Sequence, residues 1–159
     1  MQHSGEHFDA PAQLRAVGLR VTAPRVAVLN AVSAQPHSDA DGVAAAVRRE
    51  LGSVSTQAVY DVLRACVNAG LLRRIEPAGS PARFETRTGD NHHHLVCRGC
   101  GIVVDVDCVV GHAPCLVPSD PQGFVVDEAE VVFWGACAHC RESAETHPDL
   151  VGVRPAAPS

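Results

Sequence analysis

Hydrophobic positions in the first part of the chain recur every three or four residues, which is the spacing of amphipathic helices. A first short helix is predicted over residues 11–17, where Gly18 ends it. Thr22 is the predicted N-cap of a second helix, which continues to about residue 34. These two helices begin a helical region that extends to residue 69.

Two more helices and a hairpin are predicted next. Asp39 and Asp41 suit the positive N-terminal end of a third helix, and Ser55 begins a fourth. Two short strands follow, over residues 71–75 and 82–86, with a turn rich in proline and glycine between them. Helices followed by a two-stranded hairpin are the pattern of a winged-helix domain. The sequence therefore predicts an α+β fold that begins with such a domain.

Strand-like segments replace helices after the polar segment 87–91, where we place a domain boundary. A short helix is predicted over residues 107–116, and the tail after Cys140 is expected to be disordered. Further strands are predicted over residues 94–97, 102–106 and 123–134, the last with an irregularity at 127–130. The predicted parts are a winged-helix DNA-binding domain over residues 1–88, a small α/β domain over residues 89–145 and a disordered tail over residues 146–159.

Composition and charge limit the classes of protein to which this chain can belong. With 159 residues, 46% hydrophobic and 19% charged, the chain is expected to be globular. Its apolar runs fall short of the roughly 18 to 20 residues that a membrane helix needs, and its N-terminal segment lacks the features of a signal peptide. We therefore expect a cytoplasmic protein without a membrane partner. The net charge is −5, but residues 1–89 contain ten arginines and eight acidic residues, so only this part favours phosphate.

Four of the seven cysteines form two C-x-x-C pairs, each after an apolar strand. Two such turns bring four thiolates to the corners of a tetrahedron, which is the geometry of a structural zinc site with no open position. Four buried uncoordinated cysteines and a pair of redox disulfides are the alternatives. The predicted zinc ligands are Cys97, Cys100, Cys137 and Cys140.

The remaining cysteines are interpreted differently. Cys108 and Cys115 lack the spacing of a ligand pair and are interpreted first as buried hydrophobic residues. An accessory redox pair or a pair of metal ligands remains the alternative. Cys66 is assigned to the core of the fourth helix.

Three consecutive histidines begin a predicted strand of the second domain. Because successive side chains of a strand point to opposite faces, His92 and His94 share one face and His93 lies on the other. Any one of these histidines could be an ordinary surface residue. Several histidines and carboxylates clustered at an interdomain joint, however, form a ligand set that suits Fe²⁺, Mn²⁺ or Zn²⁺. The candidate ligands of this divalent-cation site are His37, Glu85, His92, His94 and Asp105.

Several motifs, spread over residues 12–140, resemble those of the ferric uptake regulator family. In chain order they are GLRVTAPR from residue 18, TQAVY from 56, RFE from 83, HHHLVCRGCG from 92 and WGACAHC from 134. The resemblance implies a dimeric, metal-dependent repressor with an N-terminal winged helix and a C-terminal dimerisation and metal-binding domain. It also places the five candidate ligands at the regulatory site. A third metal site of the family is not predicted, because Asn91 and Ala129 stand where two of its ligands are expected.

The resemblance also implies how DNA and peroxide are recognised. A dimer would place two fourth helices in successive major grooves of an inverted-repeat operator. Asp105 and the segment that follows it resemble the branch that represses catalase or catalase-peroxidase genes, where peroxide oxidises a ligand histidine, His37 or His92, at an iron site. Iron-responsive relatives have glutamate at the position of Asp105. The candidate DNA contacts are Arg20, Tyr60 and Arg64.

Other functions remain as alternatives. Within the family, these are a repressor of iron, zinc or manganese uptake and a thiol-based redox repressor that uses the zinc cysteines. A zinc-dependent hydrolase is disfavoured, because a four-cysteine site leaves no position open for water, so no enzyme activity is expected. A metal buffer that does not bind DNA is the remaining class.

Overall fold

The computed structural model describes residues 8–112 and 114–146. The chain divides into two compact units, with the division between Gly89 and Asp90. Within the described residues, no helix combines the length and the apolar character that crossing a membrane requires.

The N-terminal unit packs four helices on a small antiparallel sheet. Its core is formed by buried aliphatic side chains from all four helices, among them Leu14, Leu29, Val47 and Leu63. The strands pair in the order β1-β3-β2. The elements are α1 (Ala10–Ala16), α2 (Ala23–Ala34), β1 (Ser38–Asp39), α3 (Ala40–Leu51), α4 (Thr56–Asn68), β2 (Arg73–Ile75) and β3 (Arg83–Glu85).

Side-chain caps fix where these helices begin. The Asp39 carboxylate accepts a hydrogen bond from the Gly42 amide at 2.8 Å, and the Ser55 hydroxyl accepts one from the Ala58 amide at 3.1 Å. Thr22 occupies the N-cap position of α2 but makes no side-chain capping bond. The starts of α3 and α4 follow the sequence prediction because local capping hydrogen bonds determine them.

Strand β1 was not predicted, and it determines the position of His37. The two residues of β1 pair with β3, opposite Phe84 and Arg83. The His37 amide donates to the Phe84 carbonyl at 2.8 Å, and the His37 backbone has a positive φ of 64°. A non-glycine residue adopts this conformation only when its surroundings hold it there. A two-residue strand has no periodicity, so the sequence pattern gave no signal for it.

The C-terminal unit is built on a three-stranded sheet in the order β5-β4-β6. The central strand β4 is antiparallel to β5 and parallel to β6. In this register His92 lies opposite Asp107, and His94 lies opposite Asp105. The elements are β4 (His92–Cys97), β5 (Val103–Asp107), β6 (Val132–Gly135) and α5 (Ala138–Thr146).

The helix predicted over residues 107–116 is wrong. Asp107 ends β5, and the described residues that follow it form bends and loop rather than a helix. Gly111 has a φ of 74°, and the Cys108 amide donates to the Asn91 carbonyl at 3.3 Å instead of starting a helix. These contacts fold the segment back onto the start of β4.

The long strand predicted over residues 123–134 is also wrong in extent. Only its end forms β6, because β4 offers a parallel partner only from His94 to Cys97. Before β6 the described chain is irregular, and the side chains of Phe124 and Val125 are 77% and 95% exposed. Apolar alternation predicted a strand here, but pairing with a neighbour decides where one forms.

The expectation of disorder directly after Cys140 is wrong as well. Helix α5 continues to Thr146, and it begins at the second C-x-x-C turn, where the Arg141 amide donates to the Cys137 carbonyl at 3.0 Å. The turn that positions the cysteines thus nucleates a helix, which the cysteine spacing alone did not reveal. The rest of the expected tail, residues 147–159, lies outside the described residues.

Candidate metal centres

The four cysteines of the two C-x-x-C pairs lie together in the C-terminal unit, and we call them the four-cysteine cluster. One sulfur atom from each residue lies within 4.8 Å of the other three. The Cys100 and Cys137 sulfurs are 3.7 Å apart. The first pair begins at the last residue of β4, and the second begins two residues after β6. The parallel pairing of these strands therefore brings both turns to the same end of the sheet. This arrangement fits a zinc site.

The protonation chemistry of the cluster also suits a cation. Hydrogen bonds from backbone amides, above all that of Cys137 and then that of Cys100, lower the pKa of Cys97 to about 6. The hydrogen bond between Cys140 and the Cys137 sulfur, together with burial, raises the pKa of Cys140 to about 12. Four adjacent thiols therefore do not all ionise near neutral pH by themselves. A bound divalent ion would balance the negative charge and displace the protons.

Gly99 is required by the close approach of the first turn to α5. A Cβ at this position would lie 2.9 Å from the Cys140 sulfur and 3.3 Å from the Cys140 Cβ. The turn is held by hydrogen bonds from the Gly101 amide to the Cys97 carbonyl and from the Arg98 amide to the Gly135 carbonyl. The Arg98 guanidinium also lies over the Trp134 ring, 4.9 Å from its centre. The backbone therefore fixes where the sulfurs lie.

Two of the predicted regulatory ligands, His37 and Glu85, lie side by side in the N-terminal unit, and we call them the N-terminal pair. His37 Nε2 is 3.0 Å from Glu85 Oε2. The carboxylate is buried, and the histidine is almost so, with 11% of its side chain exposed. The Arg83 guanidinium donates to the His37 carbonyl at 3.2 Å, which adds a further support to the positive-φ backbone. The imidazole and the carboxylate are thus held in contact before any ligand binds.

The other three predicted regulatory ligands lie together on one face of the C-terminal sheet, and we call them the C-terminal trio. Asp105 Oδ1 is 3.8 Å from His92 Nε2 and 3.6 Å from His94 Nε2. These separations are longer than hydrogen bonds. Two ligands at about 2.1 Å from a shared ion would be about 3 to 3.4 Å apart, so a small contraction suffices. The trio can accept a metal ion.

Asp90, which was not among the residues predicted from the sequence, orients the trio. His92 Nδ1 is 2.8 Å from Asp90 Oδ1, which leaves Nε2 directed at Asp105. A carboxylate on the second ring nitrogen is the usual support of a metal-binding histidine. Only the pattern of a carboxylate two residues before a histidine could have indicated this contact.

The candidate DNA contacts lie on exposed surface of the N-terminal unit. Helix α4 buries Val59, Leu63 and Cys66, as predicted for Cys66, and exposes the opposite side. On that side Tyr60 is 46% exposed. The Arg64 guanidinium is 2.9 Å from the Asp61 carboxylate, which also accepts from the Gln57 amide. We call Gln57, Tyr60, Asp61 and Arg64 the α4 polar face. Arg20 is exposed in the loop before α2, and its carbonyl accepts from Arg25.

His93, Cys108 and Cys115 form a further group that the sequence analysis did not bring together. His93 points away from the trio, as predicted, and its Nε2 lies 3.2 Å from the Cys115 sulfur. Cys108 and Cys115 are half-buried rather than fully buried. The interpretation of these two cysteines as buried hydrophobic residues therefore does not fit the structure. The cause is the folded loop that replaces the predicted helix.

Replacing Gly99 by alanine should disrupt the four-cysteine cluster. We expect Gly99→Ala to weaken zinc binding at least about tenfold, or about 1.4 kcal/mol, because the new methyl group collides with Cys140. Competition with a chromophoric zinc chelator measures this. Gly135→Ala is the matched control, because a Cβ there meets nothing within 4 Å. Equal zinc retention by the two variants would contradict the close packing of the turn.

Comparison with known proteins agrees with the motifs and the fold. Residues 16–110 match the ferric uptake regulator family. The transcriptional regulator FurA of Mycobacterium tuberculosis is 58% identical over 142 residues, which cover 88% of this chain and 97% of the relative. The peroxide-responsive repressor PerR of Staphylococcus epidermidis is 28% identical over 140 residues, which cover 84% and 89%.

A solved structure shows the same fold. The ferric uptake regulator of Pseudomonas aeruginosa, determined with manganese, superimposes with a TM-score of 0.59 at 26% identity and covers 82% of this chain and 99% of its own. The predicted α+β fold class is confirmed, and so is the expectation of a regulator rather than an enzyme. The chain belongs to the ferric uptake regulator family.

Proposed function

We propose that the protein is a dimeric, metal-dependent repressor that binds an inverted-repeat operator in the cytoplasm and releases it when peroxide oxidises a metal ligand. Its targets would be catalase or catalase-peroxidase genes. The observation that carries this proposal is the presence of two preformed partial ligand sets, the N-terminal pair and the C-terminal trio, each on a different unit.

We infer that the pair and the trio bind one divalent ion together. Each set holds at least one imidazole and one carboxylate, and the two carboxylates of Glu85 and Asp105 balance a charge of +2. Mixed nitrogen and oxygen donors suit Fe²⁺ or Mn²⁺ better than a thiophilic ion. The structure of the Pseudomonas aeruginosa relative with manganese supports this choice.

The four-cysteine cluster would hold a structural Zn²⁺. The C-terminal unit has few buried aliphatic side chains within its described residues, so a zinc site would supply much of its folding free energy. The cluster consists of four thiols, and among the residues that the structure describes no further histidine, cysteine or acidic side chain joins the group. Four thiolates would complete the tetrahedral shell of a closed zinc site.

Ligands on both units would couple metal occupancy to DNA binding. The segment between the units would act as a hinge, and full coordination would select one orientation of the winged helix. In a dimer, that orientation sets the distance between the two α4 helices, and operator half-sites demand one particular distance. Loss of the metal would release this constraint and lower affinity for the operator.

The α4 polar face supplies the side chains for base recognition. Arg64 can form bidentate hydrogen bonds with guanine, and Tyr60 offers an exposed ring and hydroxyl. Asp61 holds Arg64 and Gln57 in place when DNA is absent. This arrangement gives Asp61 a positioning role and lowers nonspecific attraction to phosphate. Arg20 would reach the minor groove from the loop before α2.

Exposed apolar side chains in the C-terminal unit support the homodimer. Between β5 and β6 the side chains of Val109, Leu116, Val117, Phe124 and Val125 are all at least 60% exposed. A monomer rarely leaves so many large apolar side chains in one segment in water. A second copy of the chain would cover them.

DNA binding should require the regulatory metal even when the four-cysteine cluster keeps its zinc. With Mn²⁺ present, we expect tight binding to an A/T-rich inverted repeat in a mobility-shift assay. A chelator that removes Mn²⁺ but leaves zinc in the four-cysteine cluster should raise Kd at least about tenfold. A scrambled duplex of the same composition is the control, and a steep fall of affinity with salt would report phosphate contacts. Undiminished specific binding by Mn²⁺-depleted protein would contradict the proposal.

Peroxide sensing rests on Asp105, which is the most exposed member of the C-terminal trio, with 28% of its side chain exposed. The peroxide-responsive relative from Staphylococcus epidermidis supports this assignment. A bound Fe²⁺ would activate the peroxide. We assign His37 or His92 as the ligand that gains one oxygen atom: one peroxide oxygen would replace a ring C–H hydrogen, and the other oxygen would leave as water. Peroxide is the two-electron oxidant and the imidazole is oxidised, so the iron would undergo no net change, and the altered imidazole would bind the metal less well.

Replacing Asp105 by glutamate should separate this route from thiol oxidation. The extra methylene shifts the carboxylate relative to His92 and His94, which now lie 3.8 Å and 3.6 Å from it. After peroxide treatment of the iron-loaded protein, mass spectrometry should find one added oxygen on His37 or His92 of the natural chain. In the Asp105→Glu variant, His37 and His92 should stay unmodified and the protein should remain bound to the operator. Peroxide-induced release by the variant, or release without histidine oxidation, would favour the cysteines.

A further inference from the structure

The C-terminal unit contains a second cluster of metal-binding side chains on the face of β4 opposite the trio. We call His93, Cys108 and Cys115 the His93 cluster. One ligand atom from each residue lies within 4.8 Å of the other two. His93 Nε2 and the Cys115 sulfur are 3.2 Å apart. None of these residues belongs to the N-terminal pair, the C-terminal trio or the four-cysteine cluster.

Three separate segments bring the cluster together. His93 is on β4, Cys108 follows the last residue of β5, and Cys115 comes from the loop after it. Asn91 fastens this loop to the start of β4 at two points. Its carbonyl accepts from the Cys108 amide at 3.3 Å, and its side-chain amide donates to the His112 carbonyl at 2.6 Å. The two thiols are therefore held near the imidazole by the backbone.

The His93 ring is placed by packing. Only 6% of the residue is exposed, and the ring meets Phe133 edge to face at 6.3 Å between centres. Its Nδ1 has no hydrogen-bond partner within the described residues. Burying an imidazole with one nitrogen unpaired costs free energy, and a function for the other nitrogen would account for retaining a histidine at this position.

We propose that His93, Cys108 and Cys115 bind Zn²⁺ through one imidazole nitrogen and two thiolates. Binding would break two S–H bonds and release both protons to solvent, so the charge of the ion is balanced by the two thiolates. Two sulfurs and one imidazole are donors typical of zinc rather than of Fe²⁺ or Mn²⁺. The three segments supply three corners of a tetrahedron, and solvent would supply the fourth.

This site differs from the four-cysteine cluster in its number of protein ligands. Three protein donors leave one coordination position for water or a small competing ligand, and Cys108 and Cys115 are not fully buried. An ion with three protein ligands and one open position exchanges more readily than one enclosed by four thiolates. The His93 cluster is therefore assigned as an exchangeable zinc site, and its occupancy would fasten the loop after β5 to β4.

Cadmium and zinc binding test the proposal on the full chain. In protein kept reduced with a thiol-free phosphine, ¹¹³Cd NMR should give one signal from the four-cysteine cluster and a separate signal, at lower frequency, from a site with two sulfurs. Native mass spectrometry should then show one zinc fewer per chain in the double variant C108S/C115S than in the natural protein. His112→Ala is the matched control, because His112 lies in the same loop outside the cluster, and it should keep the full zinc count.

Several results would overturn the assignment. One is a zinc count in C108S/C115S that equals that of the natural chain. Another is the absence of a two-sulfur cadmium signal from the natural protein, a measurement that does not depend on the folding of any variant. A Cys108–Cys115 disulfide that persists in zinc-loaded, reduced protein would assign the two cysteines to a redox pair instead.

Discussion

The alternation of side chains along strand β4 is the constraint that places the candidate metal ligands of the C-terminal unit. In six residues it directs His92 and His94 to one face and His93 to the other, and it ends at Cys97. Pairing with β5 adds Asp105 opposite His94, and pairing with β6 brings the second C-x-x-C turn to the same end. A shift of one residue in register would exchange the two faces and separate these donor sets.

This constraint explains how much of the site could be predicted from sequence. Period-two alternation places the histidines correctly on opposite faces, and the C-x-x-C spacing identifies all four members of the four-cysteine cluster. Local capping residues mark the starts of α3 and α4. These features follow from neighbours in sequence, so one chain suffices to predict them.

Long-range contacts account for what the sequence did not predict. The placement of His37 depends on a two-residue strand that pairs with β3, some 46 residues away. Cys115 reaches His93 only because Asn91 holds the loop after β5, where periodicity suggested a helix. The apolar segment before β6 alternates like a strand but finds no partner within the described residues of its own chain. In each case the presence or absence of a tertiary contact decides the outcome, and the local pattern does not.

Mn²⁺ titration of variants shows whether the N-terminal pair and the C-terminal trio bind the same ion, as proposed. Glu85→Ala, His94→Ala and the double variant would be compared by calorimetry with the natural chain. If one ion contacts both residues, each single variant weakens binding strongly and the double variant is little worse than either. A shared ion is contradicted if the losses of binding free energy in the two single variants simply add in the double variant. It is also contradicted if two independent Mn²⁺ ions bind and each responds to only one of the substitutions.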